Sequence, residues 1–573
     1  LNGAVWVLRN ALPGAAVSQN DPGLSPLLNI LLANRGLNDQ AERREFLHPT
    51  LSSLADPMDI ADMGRAVNAV IRSLEEKRKI VIYGDYDADG ITATALLLRF
   101  FRNLGAKASY YIPHRIAEGY GLNRTAVEKI AKSGAGLLIT VDCGSSNADE
   151  ILYARSLGLE VVVTDHHKLR PDAFPECPVV NPNSSGRSKR HRNLAGVGVA
   201  FFLAVAVRAA LRERGWFSKV NYPDLKEYLD LVTLGTIADR APVLGQNRIL
   251  IRSGLGVMQE SRWSGLEALK AVSLQKAGMV TDVDVAFRLA PRINAAGRMG
   301  DARAGLGLLM EDEPERARQM AIMLDSENNK RQSLERQTIK EAEDILSASC
   351  DLGAKRVLIA ASKGWHRGVL GLVASRLAER YRCPSLIFSL EKGLAVGSAR
   401  SIDGFNLFGA LEKIGHLMER FGGHEQAAGI TLRMENLERF KEEIEALVEA
   451  ALSDEMIMPR LLIDAQLRFD QIVPRLMGDI DILRPFGEGN PEPLFMSRCV
   501  KMLRCKAISG KHLKVVLRQG SSTIEGIGFG MSDYLHMEGR IADIAYIPEV
   551  NRWQGANGIR LKLTDIRDAK DQG

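Results

Sequence analysis

Seven residues, Gly84-Asp85-Tyr86-Asp87-Ala88-Asp89-Gly90, constrain this chain most. Three carboxylates alternate directly after the apolar run Ile80-Val81-Ile82-Tyr83. A small, helix-prone run beginning at Ile91 follows them at once. A strand that ends in clustered acids and turns into a helix is a good place to hold a divalent cation. The acids also match the front of a calcium EF-hand loop, which needs a bidentate Glu at its twelfth position. Counted from Asp85, that position is Leu96, so the EF-hand reading fails. Hard-cation chemistry at the end of a buried strand remains.

The pattern recurs. From about residue 61 to 240, apolar strand candidates at 79–83, 108–112, 136–141, 161–164 and 178–181 alternate with amphipathic helices. That alternation predicts an α/β block with a parallel sheet covered on both faces. One strand candidate ends in Asp142, another in Asp165-His166-His167, and the apolar helical run 228–237 ends in Asp239. Ligands of such sheets bind beyond the carboxyl ends of the strands. Asp87, Asp89, Asp142 and His166 are therefore expected in one crevice, with Asp239 delivered from a helix end. Each Asp could instead cap a helix, and a lone His is more often structural. Four such sites in one block favour the ligand reading. Carboxylate and imidazole ligands suit two cations such as Mn²⁺ or Mg²⁺. Two metals roughly 3.5–4 Å apart activate a water and stabilise the leaving oxygen in phosphoryl transfer.

At 573 residues the chain is too long for one core, and three or four domains are expected. Net charge is +5, which permits nucleic-acid binding without requiring it. Six cysteines with no CxxC pair make structural zinc or a disulfide scaffold a poor fit and point to a reducing compartment. No apolar run reaches membrane-spanning length, and no signal-peptide pattern opens the sequence. A cytoplasmic location without membrane association is expected. With no sustained heptads, so is a monomer.

The residues resemble the DHH phosphoesterase superfamily, named for the triplet that stands here as Asp165-His166-His167. Within it they are most similar to bacterial exonucleases specific for single-stranded DNA. The resemblance covers nearly the whole chain. It runs through Phe46-Leu47-His48-Pro49 with Asp56-Pro57, the 84–90 motif, Val141-Asp142-Cys143-Gly144 and Gly235-Thr236-Ile237-Ala238-Asp239. It continues through 291–298, 364–368, 397–401 and Gly422-Gly423-His424. It implies a DHH domain at 61–310 after a lead at 1–60, a connecting helix at 311–348, and a DHH-associated α/β domain at 349–455. A C-terminal β-barrel of OB type, at 456–573, completes the expected fold. By the resemblance, Asp87, Asp89, Asp142, His166 and Asp239 hold two Mn²⁺ or Mg²⁺ ions, with Asp142 as the bridge. His167, with Asp165, serves the scissile phosphate or the nucleophilic water. Asp85 reads equally well as a ligand or a turn residue. Some relatives carry a His where Tyr83 stands, which would leave this chain fewer imidazoles for its first metal.

Arg115, Arg292, Arg298 and Arg400 lie in sequence that reads as loop, and Arg suits phosphate through its bidentate fork. The resemblance adds Asn294, His366, Ser398 and His424 as nucleic-acid contacts, although Gly422-Gly423-His424 alone could be a turn. The residues alone support two-metal phosphoester hydrolysis on an extended anionic substrate; the resemblance implies 5′-to-3′ hydrolysis of single-stranded DNA to 5′-mononucleotides, in repair and recombination. A helicase and a single-strand-binding protein are candidate partners. One alternative is a phosphodiesterase of oligoribonucleotides or cyclic dinucleotides, whose members are shorter. Another is a non-catalytic DNA-binding scaffold, whose members lose metal ligands.

Overall fold

The apolar run before the first acids is the middle of a sheet. In the computed structural model the described residues are 4–9, 21–169, 174–184, 189–218, 222–274, 278–348, 355–551 and 558–569; Cys350 lies outside them. Strand Lys79–Gly84 pairs with Ala108–Tyr111 on one side and Ala135–Val141 on the other. Glu160–Thr164 and Val179–Val180 extend the sheet, and every pairing is parallel. Tyr83 stands opposite Thr140, and Val141 opposite Thr164, so the strands end level. The chain winds one way and then the other from the Lys79–Gly84 strand. The point of reversal, where an open α/β sheet leaves a crevice, lies between that strand and Ala135–Val141. The first two acidic motifs emerge there.

Both faces of the sheet are covered, as the near-continuous apolar runs require. One face packs Val81, Tyr83, Leu138, Val161 and Val163 against residues of helices Arg124–Lys132 and Ala148–Ser156. The Tyr83 hydroxyl donates to the Gly121 carbonyl at 2.8 Å and accepts from Asn123 Nδ2 at 3.3 Å. Tyr83 is thus a satisfied core residue and takes no part in the crevice. Helix Pro314–Ser347 then leads to a second sheet. Its order is Arg420–His424, Ala427–Arg433, Leu394–Arg400, Ser385–Glu391, Leu358–Lys363, antiparallel except for the last pair. Gly422-Gly423-His424 is therefore part of an edge strand and not a turn. These residues form one compact unit, Leu54–Ile457.

The second unit joins the two ends of the sequence, Leu1–Ser53 and Met458–Gly573. The lead, whose sequence with breaks at Pro49 and Asp56-Pro57 reads as irregular, carries helices Pro26–Ala33 and Gln40–Leu47, capped by Ser25 and Asp39. Its strand Val5–Leu8 pairs in parallel with Arg460–Ile463, and Trp6 Nε1 donates to Asp565 at 2.8 Å. The tail forms the expected barrel. Strands Phe495–Ile508, His512–Gln519, Ser522–Gly528, Gly558–Asp568 and Ile541–Asn551 follow one another, and Ile541–Asn551 closes back onto Phe495–Ile508. Alternation explains the closure. Leu513, Val515 and Leu517 are fully buried inside, while Lys514 and Arg518 point out. Among the described residues no helix is long and apolar enough to cross a membrane.

Candidate metal centre and adjoining cleft

Asp87 caps helix Ala88–Asn103: its Oδ1 accepts from the Asp89 and Gly90 amides at 3.0 and 3.1 Å. The cap leaves its other oxygen available, so capping and ligand roles coexist. Asp89, in the first turn, is buried and accepts from the Gly196 and Val197 amides at 2.6 and 2.9 Å. Those amides open helix Gly196–Glu213, whose N-terminus favours negative charge. Only glycine fits at 196, because a Cβ there would lie 2.7 Å from Asp142 Cβ. Asp142 leaves its strand with φ 61°, a left-handed conformation that Asp tolerates better than most residues. Asp239 is the C-cap residue of helix Leu229–Ala238.

These groups converge on one nitrogen. His166 Nε2 lies 3.0 Å from Asp142 Oδ1, 3.8 Å from Asp239 Oδ2 and 3.9 Å from Asp89 Oδ2. At 3.0 Å, His166 Nε2 and Asp142 Oδ1 still form no hydrogen bond, and both are buried without a partner. Two lone pairs aimed at a common point fit a cation between them. Asp89, His166 and Asp239 make one candidate ligand set; Asp85, Asp87 and Asp142 make another. Asp142 belongs to the second and also touches the first. Asp85 is buried, its Oδ1 has no hydrogen-bond partner, and it joins the second set. The residues fit two divalent cations.

The electrostatics agree. Burial, then His167, lowers the His166 imidazole to about 4, keeping it neutral as a ligand must be. Burial, then Asp87, raises Asp89 to about 7. Burial, then Asp89 and Asp87, raises Asp239 to about 8. Asp142 is raised well above the carboxylate range by burial and the same neighbours. Unfolded Asp titrates near 4, so between about pH 4 and 8 the metal-free folded state holds the extra protons. These acids therefore make the metal-free protein less stable as pH rises. Mn²⁺ must displace those protons. The gain in Tm on adding Mn²⁺ is expected to grow from about pH 6 to about pH 8.5. Thermal melts with and without the ion check this; a gain that shrinks with pH would contradict the ligand assignment.

His167 is built differently. Its Nδ1 lies 2.8 Å from Asp165 Oδ1 and 3.1 Å from the Tyr120 hydroxyl. Although burial disfavours its charge, the hydrogen bond and charge of Asp165 raise it to about 9. Buried Asp165 also accepts from the Ser145, His166 and His167 amides, and its carboxyl is held well below the usual range despite burial. Asp165 thus orients the loop and the imidazole and is a positioning residue. Tyr120 is missed by sequence reasoning; nothing local marks it, since it lies 47 residues from His167 in sequence.

A cleft of about 980 Å³ adjoins the centre, lined by Tyr86, Arg115, Tyr120 and His167 on one side and Ser398, Arg400 and His424 on the other. Arg115 lies 4.7 Å over the Tyr86 ring. Arg400 Nη1 donates to Ser398 Oγ at 3.1 Å, and burial, then Arg115, lowers the Arg400 guanidinium from its usual value. Arg298 sits in helix Ala290–Met299 rather than a loop. Burial, then the neighbouring cations Arg115 and Arg331, lowers it to about 9. Three expected contacts are engaged elsewhere. Arg292, in the same helix, is clamped by Asp325 at 2.7 Å. Asn294 Oδ1 accepts from the Ala88 amide at 2.9 Å. His366 caps helix Arg367–Tyr381, accepting from Gly368 at 3.1 Å.

Comparison with known proteins follows this layout. The DHH family N-terminal domain matches residues 79–236, the DHHA1 domain 354–450 and the RecJ OB domain 463–565. The single-stranded-DNA-specific exonuclease RecJ of Haemophilus influenzae is 35% identical over 565 residues, covering 96% of this chain and 97% of its own. That of Salmonella typhimurium is 34% identical, covering 95% and 96%. The chain belongs to the RecJ family. Among solved structures, RecJ of Thermus thermophilus in complex with Mn²⁺ is similar with TM-score 0.82 and 29% identity, over 96% of this chain and 76% of that one. The RecJ-type OB domain is the closed barrel described above, and the DHH and DHHA1 matches fall on the two sheets of the larger unit.

Proposed function

We propose that this RecJ-family chain is a metal-dependent exonuclease that degrades single-stranded DNA from the 5′ end to 5′-mononucleotides. In this reading Asp87, Asp89, Asp142, His166 and Asp239 hold two divalent cations, Mn²⁺ or Mg²⁺. The supporting observation is that the convergent acids adjoin a cleft whose lining carries His167 together with Ser398 and Arg400. The cations, when bound, neutralise the scissile phosphate and activate water. The chain's own groups do the rest. Protonated His167 donates to a phosphate oxygen, its ring oriented by Asp165 and Tyr120. Arg115, Arg298, Arg400 and Ser398 bind the terminal phosphate and fix the register of cleavage. His424 lines the same wall. The tail binds the single strand. On the barrel's outer face, Lys501 stands directly opposite Arg518, and Lys506 opposite Lys514. Like charges paired across strands are destabilising unless an anion lies over them; Lys514 also reaches Glu525 at 3.3 Å. In this reading the reaction serves repair and recombination in the cytoplasm, with a helicase and a single-strand-binding protein as candidate partners that supply single strands. The scaffold and short-substrate readings are not favoured, since all five ligand residues are present and the relatives reported above are named single-strand exonucleases.

Arg400→Ala tests the end-recognition step. Digestion of 5′-phosphorylated strands should fall about ten- to a hundredfold, the value of a charge-assisted phosphate contact, and digestion of 5′-hydroxyl strands much less. An equal loss on both would remove Arg400 from the phosphate site.

A further inference from the structure

The cleft wall opposite the metal centre has a floor that packing does not explain. Three strands place Ser398, Gly429 and Gly422 in one row across the sheet. Alternation puts this row on the cleft face, because Ala399, Ala428 and Ile430 point into the core. One neighbouring row is Arg400, Ala427 and His424; the other is Val396, Thr431 and Arg420. All nine residues line the cleft. The middle row is a furrow. It starts at Ser398 and runs about 10 Å, two strand spacings, to the sheet edge at Gly422.

Nothing in the fold demands glycine on that floor. Gly397 and Gly423 are accounted for: a Cβ would meet Phe388 at 2.3 Å and the Ala427 carbonyl at 2.1 Å respectively. Gly422 and Gly429 have ordinary negative φ, and a Cβ at either would meet nothing within 4 Å. Glycine inside a strand is destabilising relative to alanine, because it gives up more backbone freedom on folding. Two strand glycines with free space above them make sense if something else occupies that space. Arg420 stands on the rim, exposed, and no ion pair engages its guanidinium among the described residues. Phe408 lines the same cleft, its ring 5.8 Å from that of Phe421. A flat floor, a half-buried aromatic and an unpaired cation suit a nucleoside phosphate.

We infer that the furrow takes a nucleoside joined to the strand's 5′ phosphate, so that the enzyme also opens strands whose 5′ end is blocked by a nucleoside in 5′,5′-pyrophosphate linkage. This rests on the assignment of Ser398 and Arg400 to the terminal phosphate: a group attached to that phosphate on the side away from the strand has the row that begins at Ser398 to lie along. The reaction is the ordinary hydrolysis. Water adds to the phosphorus between the first and second nucleotides, and the P–O3′ bond breaks. The O3′ departs with a proton on the blocked nucleotide, and the shortened strand keeps a 5′ phosphate.

The test uses the full chain with Mn²⁺ and two single strands of one sequence, 5′-phosphorylated and 5′-adenylylated, with products identified by mass spectrometry. Wild type should release the first nucleotide still carrying its adenylate. Gly422→Val fills the furrow and should keep or raise Tm, since a β-branched residue suits an open strand position. Gly422→Val and Arg420→Ala should each cut kcat/KM on the adenylylated strand about tenfold or more, with the phosphorylated strand changed less than about twofold. An adenylylated strand left intact by wild type overturns the inference, as do equal losses on both strands in both variants. Failure of wild type on the phosphorylated strand overturns the exonuclease reading itself, and this inference with it.

Discussion

Asp142→Asn should abolish nearly all nuclease activity while raising the melting temperature of the metal-free protein. The two effects have one cause. Asp142 is 2% exposed, its carboxyl is raised by burial and by Asp89 and Asp87, and its Oδ1 has no hydrogen-bond partner. An amide of the same shape removes that repulsion, and Asn tolerates the left-handed backbone that alanine would strain. Loss of one preorganised charge-stabilising group commonly costs about a hundred- to a thousandfold in rate, and a shared metal ligand should cost at least that. The Tm gain on adding Mn²⁺ should shrink, and calorimetric titration should show fewer or weaker sites. DNA binding should persist, because most of its affinity comes from phosphate contacts elsewhere. Near-normal turnover in Mn²⁺ would end the bridging assignment.

Deleting the tail from Met458 alone should yield an aggregating protein, whereas deleting it together with residues 1–53 should yield a soluble one. The first cut strips Val5–Leu8 of its partner strand and Trp6 of Asp565. It also removes the Asn490 side chain and Pro491 carbonyl that hold Arg35 at 2.7 Å each, and leaves Leu28, Leu31 and Leu32 to water. The second cut follows the border of a compact unit. Unit 54–457 keeps every candidate ligand. KM for long single strands should rise by about tenfold or more, and the salt slope of binding should drop by roughly 0.7 for each lost phosphate contact. Turnover at saturating DNA should change much less, because uniform binding does not lower the chemical barrier. A folded double deletion with unchanged KM and salt slope would show that the tail does not hold substrate.

The sequence was most readable where a local pattern carries the chemistry. Acids at the ends of apolar strands could be placed on one sheet edge because the parallel sheet brings strand ends level, as Val141 opposite Thr164 shows. Asp239 was readable from the end of an apolar helix. Residues whose role depends on distant partners were not. Asp325 against Arg292 and the Ala88 amide on Asn294 give two expected DNA contacts a partner inside the fold that their sequence neighbours do not announce. Tyr120 and the Gly196 and Val197 amides reach the centre through tertiary packing alone. Gly422-Gly423-His424 reads as a turn because glycine pairs usually make one; here Gly423, at φ 153°, allows the close pairing of an edge strand. The lead looks irregular because its strand finds its partner only in the tail.

That last pairing has a consequence for biosynthesis. Val5–Leu8 emerges from the ribosome about 450 residues before Arg460–Ile463. At roughly 5–20 residues per second the leading segment waits tens of seconds for its mate. The whole nuclease lobe, residues 54–457, is made in that interval and can fold as a unit. The order of manufacture therefore runs candidate metal centre first, barrel last. On the proposed function, a nascent chain can carry a finished cutting site before it has the means to grip long DNA.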